Sequence, residues 1–131
     1  MATIPDKYID LMRDKKAFAD LATIMPDGSP QVTPVWFEYK DGKVRINTAR
    51  GRLKDRNMKV GAWVALSIMD PDNPYRYVGI RGPVTLETEQ GADAHIDLLA
   101  KKYLGRDYPF RQAGERRVIY EIDPRKVHVN G

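Results

Sequence analysis

The pair Asp41-Gly42, set between a run carrying Val35, Trp36, Phe37 and Tyr39 and one carrying Val44 and Ile46, constrains this chain most. Asp-Gly readily takes the left-handed conformations that a two-residue turn needs, so the flanking runs are predicted to fold back as antiparallel strands. Pro26-Asp27-Gly28-Ser29 gives the same kind of signal upstream, since Pro presets φ and Gly supplies a positive φ. Strands are therefore predicted over residues 18–25, 31–39 and 44–48, as a three-strand meander. Pro34 takes a ladder donor out of the second strand and places a bulge or a sheet edge there.

The remaining chain follows the same punctuation. Residues 62–69 carry Trp63, Val64, Ala65, Leu66 and Ile68, a near-continuous apolar run predicting a buried strand, and residues 70–74 form a Pro- and Asp-rich loop. Residues 75–87 return as a long strand, with Gly79 and Gly82 where a bulge or a sharp bend would fall. Two last strands, 118–122 and 126–129, are joined by Asp123-Pro124. Helical spacing of Ile4, Tyr8, Leu11 and Met12 predicts a helix over 5–17. Ala92, Ile96, Leu99 and Tyr103 line one face of a second over 91–104, stopped by Gly105. Six or seven strands with two or three helices predict a mainly antiparallel sheet that closes into a small barrel, in one domain spanning residues 1–131. A barrel this small fills its own interior with side chains. A sizeable ligand is then expected outside it, in a groove made with a second subunit, which predicts a homodimer.

Charge narrows the chemistry. Residues 43–59 hold seven Lys or Arg and one Asp, a local +6 against +4 for the whole chain, so everything else sums to −2. The basicity thus belongs to one strand-loop-helix unit, centred on Asn47, Thr48, Arg50, Arg52, Lys54, Arg56 and Asn57. Cations around the amides of a helix start suit a phosphate or polycarboxylate ligand; an ordinary solvated charge run is the plainer reading. The patch is short, no helix-turn-helix or zinc pattern accompanies it, and the rest of the chain is mildly acidic, which argues against nucleic acid. With no Cys, disulfides and thiol chemistry are excluded. His95 and His128 lie far apart in sequence, so no metal site is expected. No apolar run approaches a membrane span and the N-terminus has no apolar leader, so no membrane partner and a cytoplasmic location are expected. Trp36, Tyr39, Tyr108 and Phe110 are candidates to line a pocket for a planar small-molecule substrate, or equally to be core. Asp70 and Asp72 read as turn residues.

From about residue 18 to the C-terminus the chain resembles the split β-barrel, flavin-reductase-like superfamily that includes pyridoxamine 5′-phosphate oxidase. More closely, it looks like the small deazaflavin (F420)-dependent oxidoreductases. The resemblance is carried by the Pro-Asp-Gly-Ser-Pro turn, Val35-Trp36-Phe37, Arg52-x-Lys54-x-Arg56-Asn57, the run from Tyr75 to Gly82, the helix after it, and Arg116-Arg117-Val118. It implies a mainly β (α+β) fold, a split antiparallel β-barrel with flanking short helices, and a twofold dimer with two cofactor sites at its interface. It further implies that Asn47, Thr48, Arg50, Arg52, Lys54, Arg56 and Asn57 hold the cofactor's phosphate and ribityl chain, and that Val35 and Trp36 flank its ring. Tyr75, Tyr77 and Arg81 would come from the partner subunit. The implied activity is F420H2-dependent hydride transfer to a small conjugated substrate, with no catalytic side chain required because the cofactor carries the hydride. A charge near +6 exceeds what one FMN phosphate needs and better matches the phosphodiester and glutamates of F420. An FMN-dependent oxidase or reductase, and a non-catalytic deazaflavin carrier, remain open beside it.

Overall fold

The computed structural model describes residues 2–131. A 3-10 turn, Asp6–Tyr8, leads into α1 (Ile9–Arg13). Then follow β1 (Ala19–Ile24), β2 (Pro30–Val35), β3 (Glu38–Lys40), β4 (Lys43–Ala49), α2 (Leu53–Asn57), β5 (Trp63–Asp70), β6 (Asn73–Thr88), α3 (Ala92–Leu104), β7 (Arg117–Ile122) and β8 (Lys126–Asn130). All pairings are antiparallel, in the order β2-β1-β5-β6-β7-β4-β3, with β8 also on β6. This is the split β-barrel expected from the sequence.

The predicted meander does not form. The 31–39 run breaks at Trp36-Phe37, and its halves go to opposite ends of the sheet: β2 pairs β1, whereas β3 pairs β4. Pro34 sits in β2 opposite Asp20, on a terminal strand where its missing N–H costs no ladder bond. Phe37, fully buried at the break, anchors the crossing between the halves. The first predicted helix is also shorter than residues 5–17, reduced to the 3-10 turn and the five residues of α1.

β6 splits the barrel. Its first half lies between β5 and β8, and its second half joins β7, with the register slipping between Val84 and Leu86. Gly82 marks the bend, because a Cβ there would lie 1.7 Å from the Asp123 carbonyl oxygen at the β7–β8 corner. Gly79 instead stays in regular register with Ser67 and His128, so the expected irregularity belongs to Gly82 and Val84. Alternation along the strands sends Leu21, Val44, Ile46, Val64, Leu66, Ile68, Val78, Ile80, Val118, Tyr120 and Ile122 into one core, capped by Leu11 and Met12 of α1. Each fully buried aliphatic side chain contributes roughly 1.5–3 kcal/mol. No described helix is long and apolar enough to cross a membrane.

Candidate functional site

β4 delivers Asn47 and Thr48 to a cavity of about 240 Å³ on the outside of the barrel, between α2, α3 and the 105–116 segment. One wall is apolar: Phe18, Pro34, Val35, Trp36, Ile96, Leu99, Tyr108 and Phe110. The other is polar and cationic: Asn47, Thr48, Arg52, Lys54 and Arg117. Trp36 is held flat against Tyr103 of α3, with ring centroids 5.2 Å apart and planes 5° apart, and meets Tyr108 edge-on at 6.2 Å. Tyr103 itself is pinned by its hydroxyl, which donates to the Ala17 carbonyl at 2.5 Å, and burial pushes its phenol up to about 12.

The basic loop is shaped from beneath by a buried hub. Gly51, with φ +91°, turns the chain after β4, and its N–H donates to Asp55 Oδ2 at 2.8 Å. Arg50 bonds Asp55 at 3.1 Å, Glu87 at 2.5 Å and Glu89 at 3.0 Å. The buried Tyr120 hydroxyl donates to the Asp55 carboxylate. Burial pushes the Tyr120 phenol up, with Asp55 adding to it. For Asp55, burial opposes ionisation, but hydrogen bonds from Tyr120, Gly51 N–H and Arg50 outweigh it and hold the carboxyl below its ordinary value. α2 is thereby fixed so that Arg52 and Lys54 lie along the cavity.

The +6 of the sequence does not act as one cluster. Lys43 and Arg45 sit on Glu121, at 3.8 and 2.8 Å, because Arg45 and Glu121 are register partners across β4 and β7. Arg50 is taken up by the hub, and Arg56 donates back to the Gly51 carbonyl at 3.1 and 3.0 Å. Asn57 bonds Thr23 Oγ1 at 3.0 Å and Met25 Sδ at 3.3 Å. The cations that border the cavity are Arg52, Lys54 and Arg117, with Glu115 3.8 Å from Arg52 and 3.2 Å from Arg117. Lys54 makes no ion pair among the described residues; burial, and then Arg52 and Arg117, hold its ammonium below the ordinary value. Thr48 Oγ1, buried in the polar wall, has no hydrogen-bond partner.

Of the residues singled out from the sequence, Val35, Trp36, Asn47, Thr48, Arg52 and Lys54 meet in this cavity, as do Tyr108 and Phe110. Arg50, Arg56 and Asn57 bond the protein itself. Tyr75, Tyr77 and Arg81 lie on the first half of β6, away from the cavity within one chain. Tyr39 packs against the core instead. Sequence reasoning did not place Arg117, Phe18, Ile96 or Leu99 at the site; the two α3 residues read only as a core face, and Arg117 only as part of the closing Arg116-Arg117-Val118 segment. Among the described residues no group of His, Cys, Asp and Glu could hold a metal. A cavity lined by flat aromatic side chains and by three cations can take a ligand that carries both a planar ring and an oxyanion.

The fold and this cavity define a split β-barrel protein with an external ligand cavity. The chain belongs to the pyridoxamine 5′-phosphate oxidase family, whose pattern it matches over residues 4–131. Among solved structures, it is similar to an F420 reductase, with 34% identity over 95% of this chain and 98% of that one and a TM-score of 0.84. A conserved hypothetical protein from Mycobacterium tuberculosis shares the fold at 23% identity, over 98% of this chain and 85% of that one, with a TM-score of 0.72. An FAD and heme binding protein from Mycobacterium smegmatis shares it at 16% identity, over 98% of this chain and 71% of that one, with a TM-score of 0.69. No curated protein matches the chain.

Proposed function

We propose that this protein is an F420H2-dependent reductase, acting on a small conjugated organic substrate from a site completed by a second copy of the chain. The observation that carries the reading is the mixed lining of the cavity, with aromatic side chains and the cations Arg52, Lys54 and Arg117 brought together around one space. Similarity to an F420 reductase supports this coenzyme choice. The coenzyme, when bound, supplies the hydride and its acceptor chemistry. The chain's own residues do the rest. Val35 and Trp36 flank the ring's place, with Trp36 kept from turning by Tyr103. Arg52 and Lys54 hold the anionic chain, the partly desolvated Lys54 regaining favourable charge when an anion arrives. Phe18, Tyr108 and Phe110 exclude water.

The second copy is supported by the outer face of the sheet. Register places Ala22, Val32 and Pro34 on one side of β1 and β2, continuous with Ala65 and Met69 of β5 and with Tyr77 and Arg81 of β6. Val32 and Met69 are about half or more exposed there, in a mixed surface that also holds Asp20 and Ser67 and borders the cavity through Pro34. In the proposed dimer, a twofold partner brings its own Tyr77 and Arg81, which lie on this face, to the cavity.

Fluorescence titration tests the coenzyme. F420 is expected to bind in the micromolar range or tighter, and Lys54→Ala to weaken it by more than about tenfold, a loss of over ~1.4 kcal/mol. FMN copurifying while F420 fails to bind would reverse the choice in favour of an FMN-dependent enzyme. The family match and the reduction of the +6 patch to two cavity cations, Arg52 and Lys54, favour that second reading. Turnover of F420H2 with quinones and enones separates a reductase from a carrier.

A further inference from the structure

Arg117 is the most buried cation at the cavity, its side chain 3% exposed. Its Nε donates to Asn47 Oδ1 at 2.9 Å, and its guanidinium lies 5.1 Å from the centroid of the Tyr108 ring. Nη1 has no hydrogen-bond partner: Glu115 Oε1 is 3.2 Å away but outside hydrogen-bond geometry. A buried guanidinium N–H left without an acceptor is costly, and here it borders a cavity that also holds the unpartnered Thr48 hydroxyl.

The side chains behind Arg117 form a chain with a fixed sense. Arg117 can only donate, so Asn47 must turn its Oδ1 towards it. Asn47 Nδ2 then donates to the Ala92 carbonyl at 2.9 Å and faces His95 Nδ1 at 3.1 Å. His95 Nδ1 must accept there, which leaves its hydrogen on Nε2, 3.2 Å from Glu38 Oε1. Every link is dictated by its neighbour. Glu38 lies on β3, His95 on α3, Asn47 on β4 and Arg117 on β7, so four elements converge on the aim of one guanidinium.

We propose that Arg117 is the buried arm of a phosphate-binding site in this cavity, and that Asn47, His95 and Glu38 are the relay that positions it. The chemical class follows from charge. Arg52 and Arg117 share a single carboxylate, Glu115, and Lys54 has none, leaving an excess of two positive charges for a dianionic phosphate group. Arg117 Nη1 and the Thr48 hydroxyl are both shut from solvent in the free chain, so they come into an anion's reach only as Glu115 yields part of its hold on Arg52 and Arg117. The inference rests on the cavity being the site of a phosphate-bearing ligand, but not on which coenzyme brings it.

The test therefore uses inorganic phosphate, titrated into the purified protein and followed by ³¹P NMR, beside F420 and FMN titrations. Wild-type protein is expected to give a saturable phosphate shift. Arg117→Gln should weaken it at least tenfold, and Arg117→Lys should recover part of the loss. His95→Leu and Glu38→Leu, which remove relay links without touching the cavity, should each weaken phosphate by three- to tenfold. Glu38→Gln, whose carbonyl still accepts from Nε2–H, should restore wild-type affinity. The Arg117 Nε–H resonance, slow to exchange in the wild type, should shift or broaden in the two Leu variants and not in Glu38→Gln. Thermal melts establish that each variant is folded; if a Leu variant unfolds, His95→Gln and the Glu38→Gln rescue carry the same comparison. Absence of saturable phosphate binding, Arg117→Gln within twofold of wild type, or an unmoved Nε–H signal in the relay variants would each overturn the inference. Phosphate and FMN binding that depend on Arg117 without any F420 binding would uphold it and sink the F420 reading. Tight F420 binding indifferent to Arg117 would do the reverse.

Discussion

At Tyr120 a buried phenol donates to Asp55, and the same carboxylate takes the Gly51 N–H and Arg50. These contacts are internal to the protein, yet they help decide where Arg52 and Lys54 lie, because Asp55 is on the short helix α2 that carries Lys54 and starts just after Arg52. Removing the hydroxyl while keeping the ring leaves part of the Asp55 charge unsatisfied in a buried place. Tyr120→Phe is therefore expected to destabilise the fold by about 1–3 kcal/mol, read from urea unfolding. Ligand affinity should fall with it, because α2 loses one of its anchors. Unchanged stability would show that Arg50 and Gly51 hold Asp55 without help. Arg50 illustrates why charge by itself misleads at this scale: its guanidinium serves three carboxylates contributed by α2 and β6 and the segment just after it.

Among elements, α1 is too short to be stable alone and is held to the sheet by ion pairs at one end of the barrel. Arg76 bridges Asp10 of α1 at 2.6 Å and Asp70 of β5 at 2.7 Å, and Lys15 reaches Asp70 at 2.9 Å. Asp70, 3% exposed, is thus an anchor between elements as well as the turn residue its neighbours suggested. The bond from Lys15, then the Asp72 N–H and Arg76, hold its carboxyl far below the ordinary value of 3.8. A depressed carboxyl stabilises the fold above its unfolded value and loses that contribution as pH falls through the folded value. Stability should accordingly drop between about pH 4 and pH 2, and Asp70→Asn should be less stable at pH 7 with a shallower acid decline. Urea midpoints at pH 7, 4 and 2.5 check this; parallel curves for the two proteins would assign the acid sensitivity elsewhere.

For the whole molecule, the outer face of β1, β2, β5 and the first half of β6 remains to be covered. It joins the apolar Val32 and Met69 to Tyr77 and Arg81, and it adjoins the cavity at Pro34. The proposed dimer uses this face. Sedimentation equilibrium at micromolar concentration should give twice the chain mass, and Ala65→Arg, which adds a charge at the centre of the face, should give monomers with weakened F420 binding. A monomeric wild type that still binds F420 tightly would remove the second copy from the site.

Turn chemistry and strand periodicity, both local, were enough to place nearly every element. Asp41-Gly42 closes the hairpin between β3 and β4, Gly105 ends α3 with φ +78°, and the apolar run at β5 is buried on its inward side. The basic loop was visible for the same reason, since its residues are consecutive. What sequence could not order was pairing at a distance. Whether the run through Trp36 continued or broke depended on two sheet ends competing for its halves, and the break exposed Val35 and Trp36 to the cavity. Whether a cation was free depended on carboxylates tens of residues away: Glu121 for Arg45, Glu87 and Glu89 for Arg50. Arg117 was visible only as part of the closing Arg116-Arg117-Val118 segment, because its place at the cavity is conferred by Asn47, His95 and Glu38 from three other elements. Local backbone preference is written residue by residue in the chain, whereas the fate of a charge is settled by its neighbours in space.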